Sequence, residues 1–223
     1  MKSTLLLILP VLLLLCGCGS GSSDSDSLRL RYAGIGASDA VGIGASPLTQ
    51  GYVFLIEEGL VDDGHDTELF VLGIPGGETD DIVDFALPAA RQINPDLATV
   101  FVGANDLIGG VSVENFESDL SRLLRELRED TSAFVVIANL PDLTSIPRFV
   151  MTPDEDVTLE RVIAFNDVIA RQAAANDAPV VDLFSEALSD ALFNEEDGFH
   201  PSNEGHQFIA DRFLEVIRQN FNP

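Results

Sequence analysis

Two hydrophobic periods alternate along the chain. Five short apolar runs, at residues 28–34, 67–72, 98–103, 133–139 and 179–183, have the length and the Leu, Val, Ile and Phe content of strands. In the first of them Leu28, Leu30 and Tyr32 alternate with Arg29 and Arg31, and a glycine-rich turn follows. Between and after these runs, apolar residues recur every three or four positions, at 49–59, 80–92, 113–128, 159–175 and 204–219. That spacing predicts amphipathic helices. Strands alternating with helices make βαβ units, whose crossover helices cover both faces of a parallel sheet. The expected architecture is a three-layer α/β/α sandwich over residues 28–223, with no internal repeat and no linker. Length agrees with this, since 223 residues, 46% hydrophobic, suffice for one well-buried core but are short for two domains.

Chemistry-bearing residues fall at the predicted strand ends and in the last loop. Asp197-Gly198-Phe199-His200-Pro201 places a carboxylate three residues before an imidazole, in a chain with three histidines. In a turn, such a pair projects on one side. Asp197 can then hold one ring nitrogen while the other faces a nucleophile. Taken alone, the segment fits equally well a surface loop in which Asp197 caps a turn. Ser38 follows the first strand, where a helix N-cap or turn serine is the commoner role. As a nucleophile it requires a base within hydrogen-bond reach, and His200 is the candidate. Two further turns carry donors. Val71-Leu72-Gly73-Ile74-Pro75-Gly76-Gly77 has glycine N–H groups that allow close approach, and Val100-Phe101-Val102-Gly103-Ala104-Asn105-Asp106 ends a strand on an amide. Each fits a strand-ending turn by itself; all four in this order make a stronger case.

With these residues the chain resembles the SGNH/GDSL hydrolase superfamily, whose four blocks supply a serine, a glycine, an asparagine and an Asp-x-x-His pair. The resemblance runs from about residue 28 to the C-terminus, and LGIPG, NLPDLTSIP and FNDVIARQAAANDAPVVDLF are similar to the family's inter-block segments. It implies a flavodoxin-like sheet of five strands in the order 2-1-3-4-5. It also implies an esterase, lipase or acylhydrolase working through an acyl-enzyme, without metal or cofactor. By the same implication Ser38 is the nucleophile, His200 the base and Asp197 its orienter, with Ser38, Gly76 and Asn105 forming the oxyanion hole. The first block departs from the family's Gly-Asp-Ser: it reads Gly36-Ala37-Ser38, with Asp39 after the serine. The asparagine that often opens the second block is Val71. Gly36-Ala37-Ser38-Asp39-Ala40 also lies one residue from the Gly-x-Ser-x-Gly elbow of α/β-hydrolases. There, however, acid and histidine come from separate loops and the serine follows a more central strand. A rival from another class is a catalytically degenerate surface lipoprotein that binds glycan or lipid, for which Ala37 is the only support.

Lys2 and the apolar run at 5–15 read as a lipoprotein signal peptide over residues 1–17, because the run is too short to span a bilayer. Leu15-Cys16-Gly17-Cys18 looks like a lipobox in which Cys18 is acylated, and residues 19–27 form a Gly/Ser/Asp tether. The expectation is a monomeric domain held by Cys18 to a membrane on the exported side of the cell envelope. With two cysteines in all, there is no disulfide framework. Twelve Lys and Arg against 37 Asp and Glu give a net charge of -25, and no basic stripe is present, so nucleic acid is excluded as a partner. Asp62, Asp63, His65 and Asp66 invite a metal reading but lack EF-hand spacing. His206 is expected to pack or cap, and Asp106 to fix the loop that carries Asn105.

Overall fold

The computed structural model describes residues 29–222. The apolar run at 5–15, Cys18 and the tether at 19–27 lie outside the described residues. Five strands, β1 (Leu30–Gly36), β2 (Thr67–Gly73), β3 (Leu97–Phe101), β4 (Phe134–Ala138) and β5 (Val180–Val181), form one parallel sheet. Their order is β2-β1-β3-β4-β5, as the family resemblance implied. The chain steps outward from β1 to β2 through α1 (Tyr52–Asp62), then reverses past β1 to reach β3. Because crossovers are right-handed, that reversal puts later helices on the opposite face. There α3 (Leu87–Ile93), α5 (Val113–Asp130) and α7 (Leu159–Ala175) pack side by side, whereas α8 (Asn203–Asn220) returns beside α1. Among the described residues no helix is long and apolar enough to cross a membrane.

Local sequence explains these elements. In α5, Phe116, Leu120, Leu123, Leu124 and Leu127 are buried at helical spacing, and the Ser112 hydroxyl caps the N-terminus by accepting from Asn115 N at 3.2 Å. Phe116 stacks on Phe165 of α7 with ring centroids 4.3 Å apart. Strand β3 is buried along its whole length, as a central parallel strand must be. Its one hydroxyl, Thr99, is satisfied by the Tyr32 hydroxyl at 2.8 Å. Gly34 lets α1 settle onto β1, since a Cβ there would stand 2.4 Å from a Val53 methyl.

Three differences from the sequence expectation have physical causes. The helix expected at 80–92 is α2 (Thr79–Asp81), a π-helical stretch at Ile82–Ala86, and α3. Pro88 would clash with the carbonyl four residues back, and the wider winding, in which Leu87 N bonds Ile82 O, accommodates it. Strand β5 is only two residues long because the Asn139 side chain takes over its ladder, Oδ1 accepting from Leu183 N at 2.6 Å and Phe184 N at 3.0 Å. Finally, α4 (Ala104–Ile108) and α6 (Pro147–Met151) are too short to display a helical period.

Candidate active site

Ser38 lies just beyond the C-terminal end of β1, at the point where the strand order reverses and a crevice opens between β1 and β3. Its turn is closed by Gly42 N on Asp39 O and Ile43 N on Ser38 O, both at 3.0 Å. The turn bends through Gly42 and Gly44, with φ of 84° and 100°. It is then fastened to the far end of the chain. Asn194 Nδ2 donates to Gly44 O at 3.0 Å, Asn203 bonds both the N–H and the carbonyl of Ser46, and a Cβ on Gly44 would meet Pro201 O at 2.1 Å. His206 completes the clasp from inside: Nδ1 accepts from Tyr52 N at 3.2 Å, which leaves Nε2 to donate to Ile43 O at 3.1 Å. Burial lowers the His206 pKa to about 4, so the ring is neutral and its tautomer fixed.

The loop bearing His200 is shaped by its own residues. Asn194 N bonds His200 O, Gly198 N bonds Asn194 O, both at 2.8 Å, and Gly198 takes a φ of 63°. Asp197 Oδ1 accepts from Phe199 N at 2.8 Å and His200 N at 3.0 Å. Oδ2 is therefore aimed at the ring and lies 2.6 Å from His200 Nδ1. Burial raises the Asp197 carboxyl, but the His200 ring and the two backbone donors outweigh it and hold the pKa below the usual value. His200 Nε2 lies 3.0 Å from Ser38 Oγ. The three side chains singled out in the sequence thus form one continuous hydrogen-bonded file, with Ser38 buried at 8% exposure.

The other two turns converge on the same crevice. Asn105 begins the second position of α4, and its Nδ2 donates to Gly77 O at 2.9 Å, leaving one amide hydrogen for another acceptor. Gly77 lines the crevice with Ser38 and Asn105, whereas Gly76 occupies the exposed crest of its turn with a φ of 76°. Gly77 N is taken up by Ile74 O at 2.9 Å, while among the described residues the N–H groups of Gly76 and Ser38 have no acceptor. Asp106 joins the two turns. Fully buried, it accepts from Thr79 N at 3.0 and 3.1 Å and from Thr79 Oγ1 at 2.9 Å. Burial lifts its pKa to about 6 against the pull of those donors.

Sequence reasoning missed the walls. A cavity opening beside Ser38 is lined by Phe101 and Val102 at the end of β3, Leu143 and Ile146 after β4, Leu188, Leu192 and Phe193 after β5, and Phe199 and Phe208 around the start of α8. Each of those segments contributes a few apolar residues that look like ordinary core, so the pattern carried no sign of a pocket. Asp39 also lines it, with Oδ1 accepting from Ala40 N at 2.9 Å. Burial raises the Asp39 pKa to about 6, opposed by backbone donors and by His200. Elsewhere, Asp63 pairs with Arg218 at 2.7 Å and Asp66 with Arg29 at 3.4 Å, and among the described residues no three His, Cys, Asp or Glu gather in a metal-binding group.

The profile of the GDSL-like lipase/acylhydrolase family matches residues 33–208, a span that includes Ser38, both intervening turns and His200. The chain belongs to that family. This GDSL-like protein is therefore a carboxylic ester hydrolase. Its fold is shared with solved structures of low sequence identity. The lipase/acylhydrolase from Enterococcus faecalis is 21% identical, with a TM-score of 0.73 over 88% of this chain and 98% of that one. The psychrotrophic esterase EstA from Pseudoalteromonas sp. is 18% identical, with a TM-score of 0.69 over 87% and 100%. The family 3 carbohydrate esterase of Clostridium thermocellum is 16% identical, with a TM-score of 0.69 over 86% and 96%. No curated protein matches the chain by sequence.

Proposed function

We propose that this GDSL-like hydrolase cleaves its ester through an acyl-enzyme on Ser38. Ser38 Oγ attacks the ester carbonyl as His200 Nε2 takes its proton, and His200 then returns that proton to the departing alkoxide. Water, deprotonated by His200, attacks the acyl-enzyme, and the acid leaves with Ser38 restored. Asp197 stays ionised throughout, holding the ring's tautomer and stabilising the imidazolium. The oxyanion rests on Ser38 N–H, Gly76 N–H and the second Asn105 amide hydrogen, which have no acceptor among the described residues. The observation that carries this reading is the file of 3.0 Å from Ser38 Oγ to His200 Nε2 and 2.6 Å from His200 Nδ1 to Asp197 Oδ2. Fluorophosphonate labelling tests it: one modification per chain, located at Ser38 and absent from Ser38→Ala, is expected. A folded, ester-cleaving enzyme that resists the reagent would sink the acyl-enzyme.

From Leu15-Cys16-Gly17-Cys18 and the polar tether we also infer that Cys18 is acylated and holds the enzyme, as a monomer, at an exported membrane face. Cys18→Ser is expected to release an active enzyme into the soluble fraction. If that variant still sediments with membranes after a salt wash, the anchor is elsewhere.

A further inference from the structure

The apolar cavity and the carboxylate beside Ser38 bear on which esters fit. The cavity opens to solvent beside Ser38, and most of the residues lining it are apolar. Leu188, Phe193, Phe199 and Phe208 pack against the core yet stay partly uncovered, and all four line this space. Apolar side chains left open on a cavity wall gain by covering themselves with an apolar ligand. A sugar would leave its hydroxyls unpaired against such a wall. Charge adds a second filter. The segments that supply the cavity, residues 37–39, 77–80, 101–106, 141–146 and 183–209, contain no Lys or Arg; just beyond them Arg212 of α8 lies over the Phe208 ring at 5.4 Å and is paired with Glu186 and Glu215. Their acidic residues include Glu78, Asp142, Asp190, Glu195 and Glu196, and among the described residues Asp39 is the one carboxyl that lines the cavity.

We propose that this cavity holds the acyl chain of an uncharged ester, and that Asp39 bars anionic occupants, rejecting anionic acyl carriers and helping to expel the carboxylate that hydrolysis releases. The inference rests on Ser38 being the nucleophile. It accounts for an aspartate placed after the serine, where its charge reaches the cavity: at neutral pH and above Asp39 is ionised, its pKa being raised only to about 6. Like charges in a site of low dielectric repel far more than they do in water. An uncharged acyl chain in the same place meets no such repulsion.

Three measurements at pH 8 test the proposal. For p-nitrophenyl esters from acetate to decanoate, kcat/KM is expected to rise at least tenfold between acetate and octanoate, since each buried methylene contributes up to roughly fourfold. In Leu188→Trp, a substitution at a partly open wall residue, the optimum is expected to move to shorter chains, read as a fall in the ratio of octanoate to acetate kcat/KM. Octanol is expected to inhibit at least tenfold more strongly than octanesulfonate, and Asp39→Asn, which retains an acceptor for Ala40 N, is expected to close most of that gap. The ratio of the two inhibitors cancels any general damage done by the substitution. A flat or falling chain-length series, or octanesulfonate binding as well as octanol to the unaltered enzyme, would overturn the proposal. So would an unchanged ratio in Asp39→Asn. Fluorophosphonate labelling of Ser38 on the same samples separates these failures from failure of the acyl-enzyme.

Discussion

On Asn105 a single amide nitrogen carries two hydrogens, of which one is bonded to Gly77 O at 2.9 Å and the other has no acceptor among the described residues, as the proposed oxyanion role requires. Because a donor aimed at developing negative charge acts mainly in the transition state, Asn105→Ala is expected to lower kcat by about a hundredfold to a thousandfold, roughly 2.7 to 4 kcal/mol, with KM little changed. The bond to Gly77 adds a smaller fall in melting temperature. Wild-type kcat in a destabilised variant would confine Asn105 to the structural half of its role. Asn105→Asp should be at least as damaging, for a carboxylate would face both Gly77 O and the oxyanion. At the other end of the site, His200→Ala is expected to lower kcat by several orders of magnitude. Asp197→Asn should also be severe, because Oδ2 sets the ring's tautomer while Oδ1 holds the backbone of its own loop. A modest loss in Asp197→Asn would mean that the backbone alone orients the ring. These residues were legible from sequence because an acid and a histidine three apart need only a local turn to meet. Asp39 was not, since nothing in the chain shows that its side chain faces the cavity.

Among the turns, Gly44 and Gly76 make a controlled pair. Both have positive φ, 100° and 76°, but a Cβ at Gly44 would lie 2.1 Å from Pro201 O, while at Gly76 nothing lies within 4 Å. Gly76→Ala is expected to cost only the left-handed backbone strain, about 1 to 2 kcal/mol, because its N–H remains. Gly44→Ala should cost more and also lower kcat, since the serine turn must move away from the histidine loop. Urea unfolding and kcat on both variants check this; equal losses would show that backbone strain, not the contact with Pro201, governs the Gly44 turn. Helices such as α5 were readable because Phe116, Leu120, Leu123, Leu124 and Leu127 repeat over several turns. The π-helical stretch before Pro88 and the shortening of β5 by Asn139 depend on single side chains, which periodicity does not register. The cavity needs five loops at once, so its residues passed for core.

The molecule as a whole has opposing pH dependences. His206, lowered to about 4 from 6.5, contributes stability that is complete above pH 6.5 and is lost as pH falls through about 4, a span of up to about 3 kcal/mol. Asp39 and Asp106, raised to about 6 from 3.8, act the other way: their contributions are complete below pH 3.8 and are lost as pH rises through about 6. Urea unfolding of Asp106→Asn beside the unaltered enzyme is therefore expected to favour the variant increasingly from pH 4 to 7, by up to about 3 kcal/mol. A difference that stays constant across that range would remove Asp106 from the account. The net charge of -25 adds self-repulsion that salt should relieve, so the melting temperature is expected to climb with ionic strength. Beyond equilibrium, the clasp of Asn194, Asn203 and His206 on the serine turn has a consequence for biosynthesis. Ser38 emerges from the ribosome early, but His200, its proposed base, and every residue of the clasp emerge near the end. On the proposed mechanism a chain still being made is expected to be inert toward esters, and translation arrested before residue 197 should yield nascent chains that fluorophosphonate does not label until the final segment is supplied.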